Sequence, residues 1–506
     1  MKRTFQIYYT SDTHGHIFPV DYSTGRPERS GLLNLGAQIA KDNNTLVLDG
    51  GDSLQGTPLT QYYLEHRAEW PLHPVAAAFN AAGLDYFTLG NHDFNYGYDV
   101  LRDYLDSIDA VCLCSNIEDL GGELSIRPWT IHTLANGLRV GITGVVTDFV
   151  NIWEQPQNLA KIRISDSFSA AAVACRTLKP QCDICVCIYH GGFEEDLENG
   201  KLLSDSSENI ACKIARELDF DLLLTGHQHM TVEGVKLTDT YVVQPPANAG
   251  QFLHIKGCCD GMFRTFKSKL MPVGENHFAE PYDSLLPLEK AVQLWLDQPI
   301  GSMEQSLPSE DKLEAALYGS QIANLFNQVQ LSETGADFSC TSLGNEPVGL
   351  ISPVTMRGVT AAYLFANTLV VLEVTAEILR QTLERCASYF TLVHGKPQIS
   401  KEFLLPKVEH YNYDFYAGLS YTFDLRRPAG SRVIHLTKLD GSSLGKEKFR
   451  LCTSNYRATG TGGYEILREC PVLWRGGMEM PELTARFIRS HSPVPQLENS
   501  KMRVVW

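Results

Sequence analysis

The N-terminal half of the chain alternates short apolar runs with amphipathic stretches, and this alternation limits the possible folds more than any other feature. The apolar runs that predict strands are residues 5–10, 45–50, 86–90, 138–146, 183–190 and 221–226. Between them, residues 31–41 and 73–83 carry apolar side chains at helical spacing, and Gly83 is placed to end the second helix. Alternating strands and helices are typical of βα units. The sequence therefore predicts an α/β first domain.

Longer amphipathic segments follow residue 280. Residues 310–331 predict one helix, because Ile322, Leu325 and Val329 fall on one face of it. Helices are also expected at 286–296 and 375–390, the latter with Thr375 as N-cap, and strands at 368–374, 417–425 and 431–443. These elements predict a mixed α/β second domain.

The length of 506 residues is too great for one ordinary core, so two or three domains are expected. The change of pattern places a first domain at 1–280 and a second at 313–506. Residues 281–312 between them are predicted to form a helical linker or hinge. The fold class is α/β, or α+β for the chain as a whole.

Composition excludes several classes of protein. The net charge of −16 argues against binding of duplex nucleic acid through its phosphates, because that requires a basic surface. No run approaches the roughly 20 apolar residues of a membrane span. The thirteen cysteines fit free thiols in a reducing compartment, and the start MKRTFQIYYTSD contains no secretory apolar segment. We therefore expect a cytoplasmic protein that binds neither duplex nucleic acid nor a membrane.

The segment CDICVC raises the alternative of a metal or redox site. Strand alternation predicts that Cys185 and Cys187 face one side of their strand and Cys182 the other. Cysteine is also among the most frequently buried residue types. We therefore interpret these residues, and the pair Cys258–Cys259, as core packing.

Side chains that can bind metal ions follow five of the six strands predicted in the first domain. They are Asp12 and His14, Asp52, the triplet Asn91–His92–Asp93, His190, and the pair His227 and His229. Taken singly, each motif is better explained by a turn, a helix cap or a structural histidine. However, ligands bind at the carboxyl ends of the strands in an open α/β sheet, so these side chains are expected to converge.

The combination indicates a two-metal centre. Residues two apart in an extended segment project to the same side, which brings His227 and His229 together. Asp52, with ligands on either side of it, suits a bridge between two ions. Such centres hold the attacking and leaving oxygens of a phosphoryl transfer. Mixed imidazole and carboxylate ligands favour Zn, Mn, Fe, Co or Ni over Ca, and do not favour an all-oxygen Mg site.

The motifs DxH, GD, GNHD, a single His and GHQH occur in this order, and the set resembles the calcineurin-like metallophosphoesterase superfamily. The resemblance implies a β-sandwich with flanking helices and two divalent ions (Mn, Zn, Fe or Co), with a bridging hydroxide as nucleophile. It implies one ion held by Asp12, His14, Asp52 and His229, and a second held by Asp52, Asn91, His190 and His227. It also implies that His92 assists at the phosphate, and we place Asp93 beside it in a supporting catalytic role.

Segments of the second half resemble the C-terminal domain of the 5′-nucleotidase family, so the resemblance covers nearly the whole chain. They include LFANTLVVLEVT, YNYDFYAGLSYTFDL and CTSNYRATGTGGYEI. In that family two aromatic rings sandwich a nucleobase, which implies Tyr413 and Tyr456 here, and such stacking is worth about 1–3 kcal/mol per base. Without the resemblance, both would be interpreted as ordinary sheet tyrosines. Arg357 is a further candidate for contact with phosphate or ribose.

Asn95 distinguishes two branches of this family. The 5′-nucleotidase and UDP-sugar hydrolase branch has an Asp that pairs with the catalytic His, whereas Asn95 would orient His92 by a hydrogen bond without adding charge. GNHDFNYG is more similar to the branch that hydrolyses 2′,3′-cyclic nucleotides and 3′-nucleotides.

The resemblance therefore implies hydrolysis of a small nucleotide substrate, from a 2′,3′-cyclic nucleotide to a 3′-nucleotide and then to nucleoside and phosphate. One alternative is a 5′-nucleotidase or UDP-sugar hydrolase. A nuclease and a nucleotide-binding sensor without activity are the others.

Overall fold

The computed structural model of the protein describes residues 2–203, 207–261, 263–365, 367–405 and 408–506. Its internal contacts form two compact units. The first comprises Met1–Asp21 and Gly25–Gln293, and the second comprises Tyr22–Thr24 and Leu294–Trp506. The segment 281–312 contains most of the helix Ala279–Asp297, within which the boundary falls, and the short strand Pro299–Gly301.

Two large sheets form the framework of the first unit. All six strands predicted from the sequence are present, although Tyr86–Phe87 is shorter than expected. The seven-stranded sheet has the order Phe263–Pro272, Gln251–Asp260, Arg3–Thr10, Thr45–Asp49, Tyr86–Phe87, Val111–Leu113, Ile126–Arg127. The six-stranded sheet has the order Val232–Leu237, Thr240–Gln244, Leu222–Thr225, Ile184–His190, Arg139–Val146, Trp129–Thr133. The predicted strands run parallel within each sheet, so their carboxyl ends share an edge.

The apolar core lies between these two sheets. Ile7 and Tyr9 from the first sheet belong to one buried cluster with Ile142, Val186 and Leu224 from the second. Each is fully buried, because alternate residues of every strand point toward the facing sheet. This cluster confirms the predicted β-sandwich.

The outer face of the six-stranded sheet carries the cysteines of CDICVC. Cys185 and Cys187 are buried against the helices Ser167–Leu178 and Ala211–Glu217, as expected for core packing. The prediction that Cys182 faces the opposite side is wrong, because it packs against the same cluster. The strand begins only at Ile184, so strand alternation does not extend to Cys182.

Further helices belong to the first unit, and one of them has a defined cap at each end. Pro74–Ala82 begins with the Nδ1 of His73 accepting the amide of Ala76 and ends at Gly83, whose φ is 68°. Gly83 therefore ends this helix as predicted. The other helices are Leu32–Gly36, Pro58–Glu65, Tyr98–Ser107 and Val150–Trp153. Two-stranded ribbons are formed by Val20–Asp21 with Arg26–Pro27 and by Ile117–Asp119 with Ile162–Ile164.

The second unit is built on a five-stranded and a three-stranded sheet, which confirms the predicted mixed α/β class. The five-stranded order is Asp414–Ala417, Phe338–Ser342, Lys448–Ser454, Thr368–Thr375, Val472–Glu479. The three-stranded order is Val433–Lys438, Leu419–Asp424, Lys501–Val505. Smaller pairs are Pro299–Gly301 with Val354–Thr355 and Phe390–Val393 with Lys396–Ile399. The helices are Lys312–Tyr318, Gln321–Thr334, Met356–Ala362, Ala376–Ala387, Asn455–Ala458, Glu465–Arg468 and Met480–Ser490.

The prediction of one helix over 310–331 is wrong. Two helices, Lys312–Tyr318 and Gln321–Thr334, replace it. Gly319 between them has φ 95° and ψ 163°, a conformation that is open essentially only to glycine, and Ser320 caps the second helix. Within the described residues, no helix combines the length and apolar character that a membrane span requires.

Candidate metal centre

The seven predicted ligands converge at the shared carboxyl edge of the strands. The ligand atoms of Asp12, His14 and His229 lie within 4.8 Å of one another, and so do those of Asp52, His190 and His227. Asn91 joins the second group, because its Oδ1 lies 2.8 Å from Nδ1 of His227 and 3.2 Å from Nε2 of His190. Loops after parallel strands thus bring together residues that are more than 200 positions apart in the sequence.

Asp52 belongs to the second group by distance. Its Oδ2 lies 3.2 Å from Nε2 of His190, and its Oδ1 accepts the backbone amide of His92 at 2.7 Å. The resemblance also assigns it to the first group as a bridge, and that assignment stays a prediction.

The ring nitrogens that point away from the centre have partners of their own. Nδ1 of His14 contacts the carbonyl of Gln55 at 2.9 Å, and Nδ1 of His190 contacts the carbonyl of Gly50 at 2.7 Å. The opposite ring nitrogens point into the centre. Nε2 of His14 lies 3.0 Å from Nε2 of His229. Facing imidazole nitrogens held from behind are the arrangement that a shared cation requires.

The two carboxylates of the centre, Asp12 and Asp52, are fully buried, and their charged neighbours in the described chain are histidines instead of lysine or arginine. Within the described residues, neither Asp12 nor Asp52 forms an ion pair with Lys or Arg, and histidines are their ionic neighbours. Burial tends to raise the pKa of Asp12, but the hydrogen bond of His229 and the charge of His190 lower it below its usual range. Burial tends to lower the pKa of His190, but the charge and hydrogen bond of Asp52 raise it to about 10. Buried carboxylates need compensating positive charge, so divalent cations fit this donor set.

Backbone strain is concentrated in the same residues. Nine non-glycine residues of the described chain have positive φ, and five of them are predicted ligands. These five are Asp12, His14, Asp52, His227 and His229, with φ of 54°, 48°, 57°, 73° and 54°. Such conformations cost about 1–3 kcal/mol each and cluster at functional sites. These residues follow three of the strands, Arg3–Thr10, Thr45–Asp49 and Leu222–Thr225, and their positive φ turns the chain sharply at those strand ends.

Asp93 supports the loops of the centre rather than the reaction. Its carboxylate accepts the backbone amides of Gly90, Asp52, Ser53 and Leu54 at 2.8–3.0 Å. The two loops touch here, and a Cβ at Gly90 would lie 2.1 Å from Oδ1 of Asp52. Asp93 therefore joins the loop of Asp52 to the loop of Asn91, which agrees with the supporting role predicted for it.

His92 lies beside the centre, but Asn95 does not orient its ring. The rings of His92 and His14 are 5.6 Å apart, and Nδ1 of His92 is buried without a hydrogen-bond partner among the described residues. With the nitrogen of its amide turned toward the main chain, Asn95 donates to the carbonyls of Asn91 and His92, 3.1 Å from each. Asn95 caps the 3₁₀ turn Asn91–Phe94, which directs its side chain back onto the carbonyls of that turn. The predicted hydrogen bond from Asn95 to the imidazole is therefore wrong.

Tyr413 is a core residue of the second unit and not part of a base-binding pair. It is 3% exposed, its hydroxyl donates to the carbonyl of Ala316, and its ring packs against Tyr389 and Phe415. The prediction for Tyr413 is therefore wrong.

Sequence reasoning did not single out Tyr411, which lies two positions earlier. Tyr456 is 37% exposed and Tyr411 is half-buried. Burial and the charge of Glu409 raise the pKa of Tyr411. Arg457 joins their segments, because its Nη2 donates to the carbonyl of Tyr411 at 2.9 Å and its guanidinium lies 5.6 Å from the ring centre of Tyr456. The signal in the sequence was the first Tyr of YNYD, which lies in the turn His410–Asn412 just before the strand Asp414–Ala417.

Arg357 is engaged in structural contacts. Its Nε lies 2.6 Å from Oδ1 of Asp297, and its Nη1 donates to the carbonyl of Tyr22 at 2.7 Å. The side chain is 14% exposed. These contacts anchor the helix Met356–Ala362, and the predicted contact of Arg357 with substrate is not supported.

Similar proteins have the same two-part organisation. Residues 5–231 match the family described as calcineurin-like phosphoesterase, and residues 299–469 match the 5′-nucleotidase C-terminal domain. A Staphylococcus aureus structure, provisionally named a 5′-nucleotidase and solved with α-ketoglutarate, is 31% identical with a TM-score of 0.85. That similarity covers 99% of this chain and 100% of the other.

Two further relatives act on nucleotides according to their names. The 2′,3′-cyclic-nucleotide 2′-phosphodiesterase/3′-nucleotidase of Haemophilus influenzae is 25% identical over 92% of this chain and 82% of its own length. The trifunctional nucleotide phosphoesterase protein YfkN of Bacillus subtilis is 23% identical over 98% of this chain, which spans only 38% of that protein. From the converging ligands, the two matched domains and the full-length similarity above 30%, the chain belongs to the calcineurin-like phosphoesterases that carry a 5′-nucleotidase C-terminal domain.

Proposed function

We propose that the protein is a metal-dependent hydrolase of nucleotide phosphate esters, with 2′,3′-cyclic nucleotides and 3′-nucleotides as its substrates. The observation that carries the proposal is the convergence of seven ligands around two buried carboxylates. The name of the Haemophilus influenzae relative and the similarity of the segment GNHDFNYG to that branch support this substrate class.

We further propose two Mn, Zn, Fe or Co ions in this centre, because imidazole, amide and carboxylate ligands suit these metals. Asp12, His14, Asp52 and His229 would hold one, and Asp52, Asn91, His190 and His227 the other. When bound, such ions supply Lewis-acid stabilisation of the phosphoryl group and activation of water near neutral pH.

We propose that His92 contacts the substrate, because its ring lies beside the centre, 5.6 Å from the ring of His14. Its backbone amide is held by Asp52, and Nδ1 of its ring has no partner among the described residues. Nδ1 is buried, so we assign the contact with an oxygen of the phosphate to the other ring nitrogen, Nε2.

Tyr411 and Tyr456 are proposed to bind the base. Loss of one stacking ring weakens binding by about 1–3 kcal/mol, or roughly 5- to 150-fold. We expect Tyr456→Ala to raise KM for 3′-AMP by this factor while leaving turnover of bis(p-nitrophenyl) phosphate, which has no base, unchanged. Tyr318→Ala is the matched control, because Tyr318 is 67% exposed in the same unit. An equal loss on both substrates would contradict base stacking.

Phosphate release from 2′,3′-cyclic AMP, 3′-AMP and 5′-AMP, with Mn²⁺ and with EDTA, tests the activity. We expect turnover of the first two, its loss in EDTA, and its loss in Asp52→Asn but not in Asp239→Asn, whose side chain is fully exposed. Preference for 5′-AMP would leave the metal centre standing and favour a 5′-nucleotidase, the second candidate, which the name of the Staphylococcus aureus relative supports. No turnover of any of the three would overturn the proposal.

A further inference from the structure

A carboxylate outside the predicted ligand set contacts one of the ligands. Oε1 of Glu208 lies 3.1 Å from Nε2 of His227. The other ring nitrogen, Nδ1, faces Asn91 at 2.8 Å. His227 thus has one edge toward the ligand cluster and the opposite edge on Glu208.

The position of Glu208 is set by its own main chain. Its carbonyl accepts the hydroxyls of Thr147 at 2.9 Å and Tyr189 at 3.2 Å, and both of these residues are fully buried. The neighbouring Asn209 accepts the amide of Gly192 at 2.7 Å. These bonds attach the segment to the strand ends of the six-stranded sheet, so the carboxylate is directed at His227 by the fold.

The face of the His227 ring is held as well. The indole of Trp153 stacks on it with ring centroids 5.4 Å apart and an interplanar angle of 20°. Trp153 is the last residue of the helix Val150–Trp153. With one edge on Glu208 and one face on Trp153, the imidazole is held in a single orientation.

The other ligand histidines with an outer partner are held differently. His14 and His190 contact neutral backbone carbonyls, whereas His227 contacts a carboxylate. A hydrogen bond to an ionised acceptor is roughly twice as strong as a neutral one. It keeps the proton on Nε2 and leaves the lone pair of Nδ1 for a metal ion.

We propose that Glu208 is a positioning residue that fixes the tautomer and orientation of His227. It thereby raises the affinity for one of the two ions, the ion held by Asp52, Asn91, His190 and His227. This inference rests on the two-ion centre of the proposed function, but it does not depend on which ester is hydrolysed.

A calorimetric titration of the metal-free protein with Mn²⁺ alone tests the assignment without any substrate. The variants are Glu208→Ala, Glu208→Gln and the control Glu217→Gln, since Glu217 is exposed in the following helix. We expect two ions in the wild type and in the control. Glu208→Ala should weaken one of them about 10- to 100-fold and spare the other, with Glu208→Gln intermediate.

Two results would overturn the assignment. One is binding of both ions to Glu208→Ala with wild-type affinity, and the other is equal weakening of both ions, which indicates a general loss of structure. Unfolding curves in EDTA verify that the variant folds. If the wild type itself binds no ion, the two-ion centre of the proposed function fails, and the role of Glu208 fails with it.

Discussion

Asp93 and Asn95, which follow Asn91 closely in the chain, both form hydrogen bonds with the main chain. Asp93 accepts four backbone amides, and Asn95 donates to two backbone carbonyls. A carboxylate suits the first position because every neighbour there is a donor, and an amide suits the second because its neighbours are acceptors. The loop therefore requires an acceptor at Asp93 and a donor at Asn95.

Asn95→Asp tests this at the residue scale. The carboxylate would face the carbonyls of Asn91 and His92 without a proton to donate, so the loop loses two hydrogen bonds. We expect the free energy of unfolding to fall by about 1–3 kcal/mol in urea titrations near pH 7, with no gain of activity on 5′-AMP. Unchanged stability together with faster hydrolysis of 5′-AMP would mean that the side chain turns to Nδ1 of His92.

At the scale of the element, the helix Pro74–Ala82 begins on an unusual cap. His73 is buried between Tyr63 and Tyr104, and its Nδ1 accepts the amide of Ala76. Burial lowers the pKa of His73 to about 3. The cap works only while the ring is neutral, because a protonated Nδ1 cannot accept a hydrogen bond.

The titration of His73 predicts a loss of stability in acid. The unfolded chain takes up a proton near pH 6.5 and the folded chain only near 3, so protonation favours unfolding as the pH falls between these values. The contribution of this group is about 1.4 kcal/mol per pH unit. We expect His73→Asn, which keeps a capping side chain, to show a shallower decrease of unfolding free energy from pH 7 to 4 than the wild type.

The exposed residue His435 provides the control, and His435→Asn should keep the pH dependence of the wild type. Identical slopes for His73→Asn and the wild type would show that His73 does not titrate in this way.

At the scale of the whole molecule, each unit has buried charge that must be compensated. In the second unit, Arg457 and Asp414 are each 2% exposed and form a two-point ion pair at 2.8 and 2.9 Å. The same guanidinium donates to the carbonyls of Tyr411 and Thr461. Arg457 thereby connects the sheet to both segments that carry the proposed base-binding tyrosines.

Arg457→Met should destabilise the second unit strongly. It leaves the Asp414 carboxylate buried without a cation, which costs about 3–5 kcal/mol. Urea unfolding measures the loss, and Arg163→Met is the control, because Arg163 pairs with Glu118 and both side chains are largely exposed. The control should have little effect. A similar loss of unfolding free energy in both variants would contradict the claim that burial of the ion pair causes the effect.

The first unit is expected to depend on divalent ions for part of its stability. Asp12 and Asp52 are buried, so a bound cation stabilises the folded state and EDTA removes that contribution. Saturation at 100 times the dissociation constant adds about 2.7 kcal/mol per ion. We expect calorimetry to show a higher Tm with Mn²⁺ than with EDTA in the wild type and in Asp239→Asn, and a smaller difference in Asp52→Asn. Equal Tm values under both conditions would argue against occupied sites.

The sequence by itself determined the elements and the ligand set. Short apolar runs located the strands of the sandwich, and polar residues directly after those strands identified side chains such as Asp12, Asn91 and His227. This worked because strand direction and sheet order place every carboxyl end at one edge, so local position in the chain implies position in space. The break at Gly319 was missed because helical periodicity continues across it and only φ reveals it.

Tertiary structure alone decided which atoms meet. Tyr411 and Tyr413 differ by two positions, yet one lies in a turn near Tyr456 and the other is packed in the core. Asn95 bonds to carbonyls instead of an imidazole, and no motif marks Glu208, whose contact with His227 depends on hydroxyls from two other segments. Hydrogen bonds and burial act over a few ångströms between residues far apart in the chain. Their partners are therefore set by packing and not by sequence spacing.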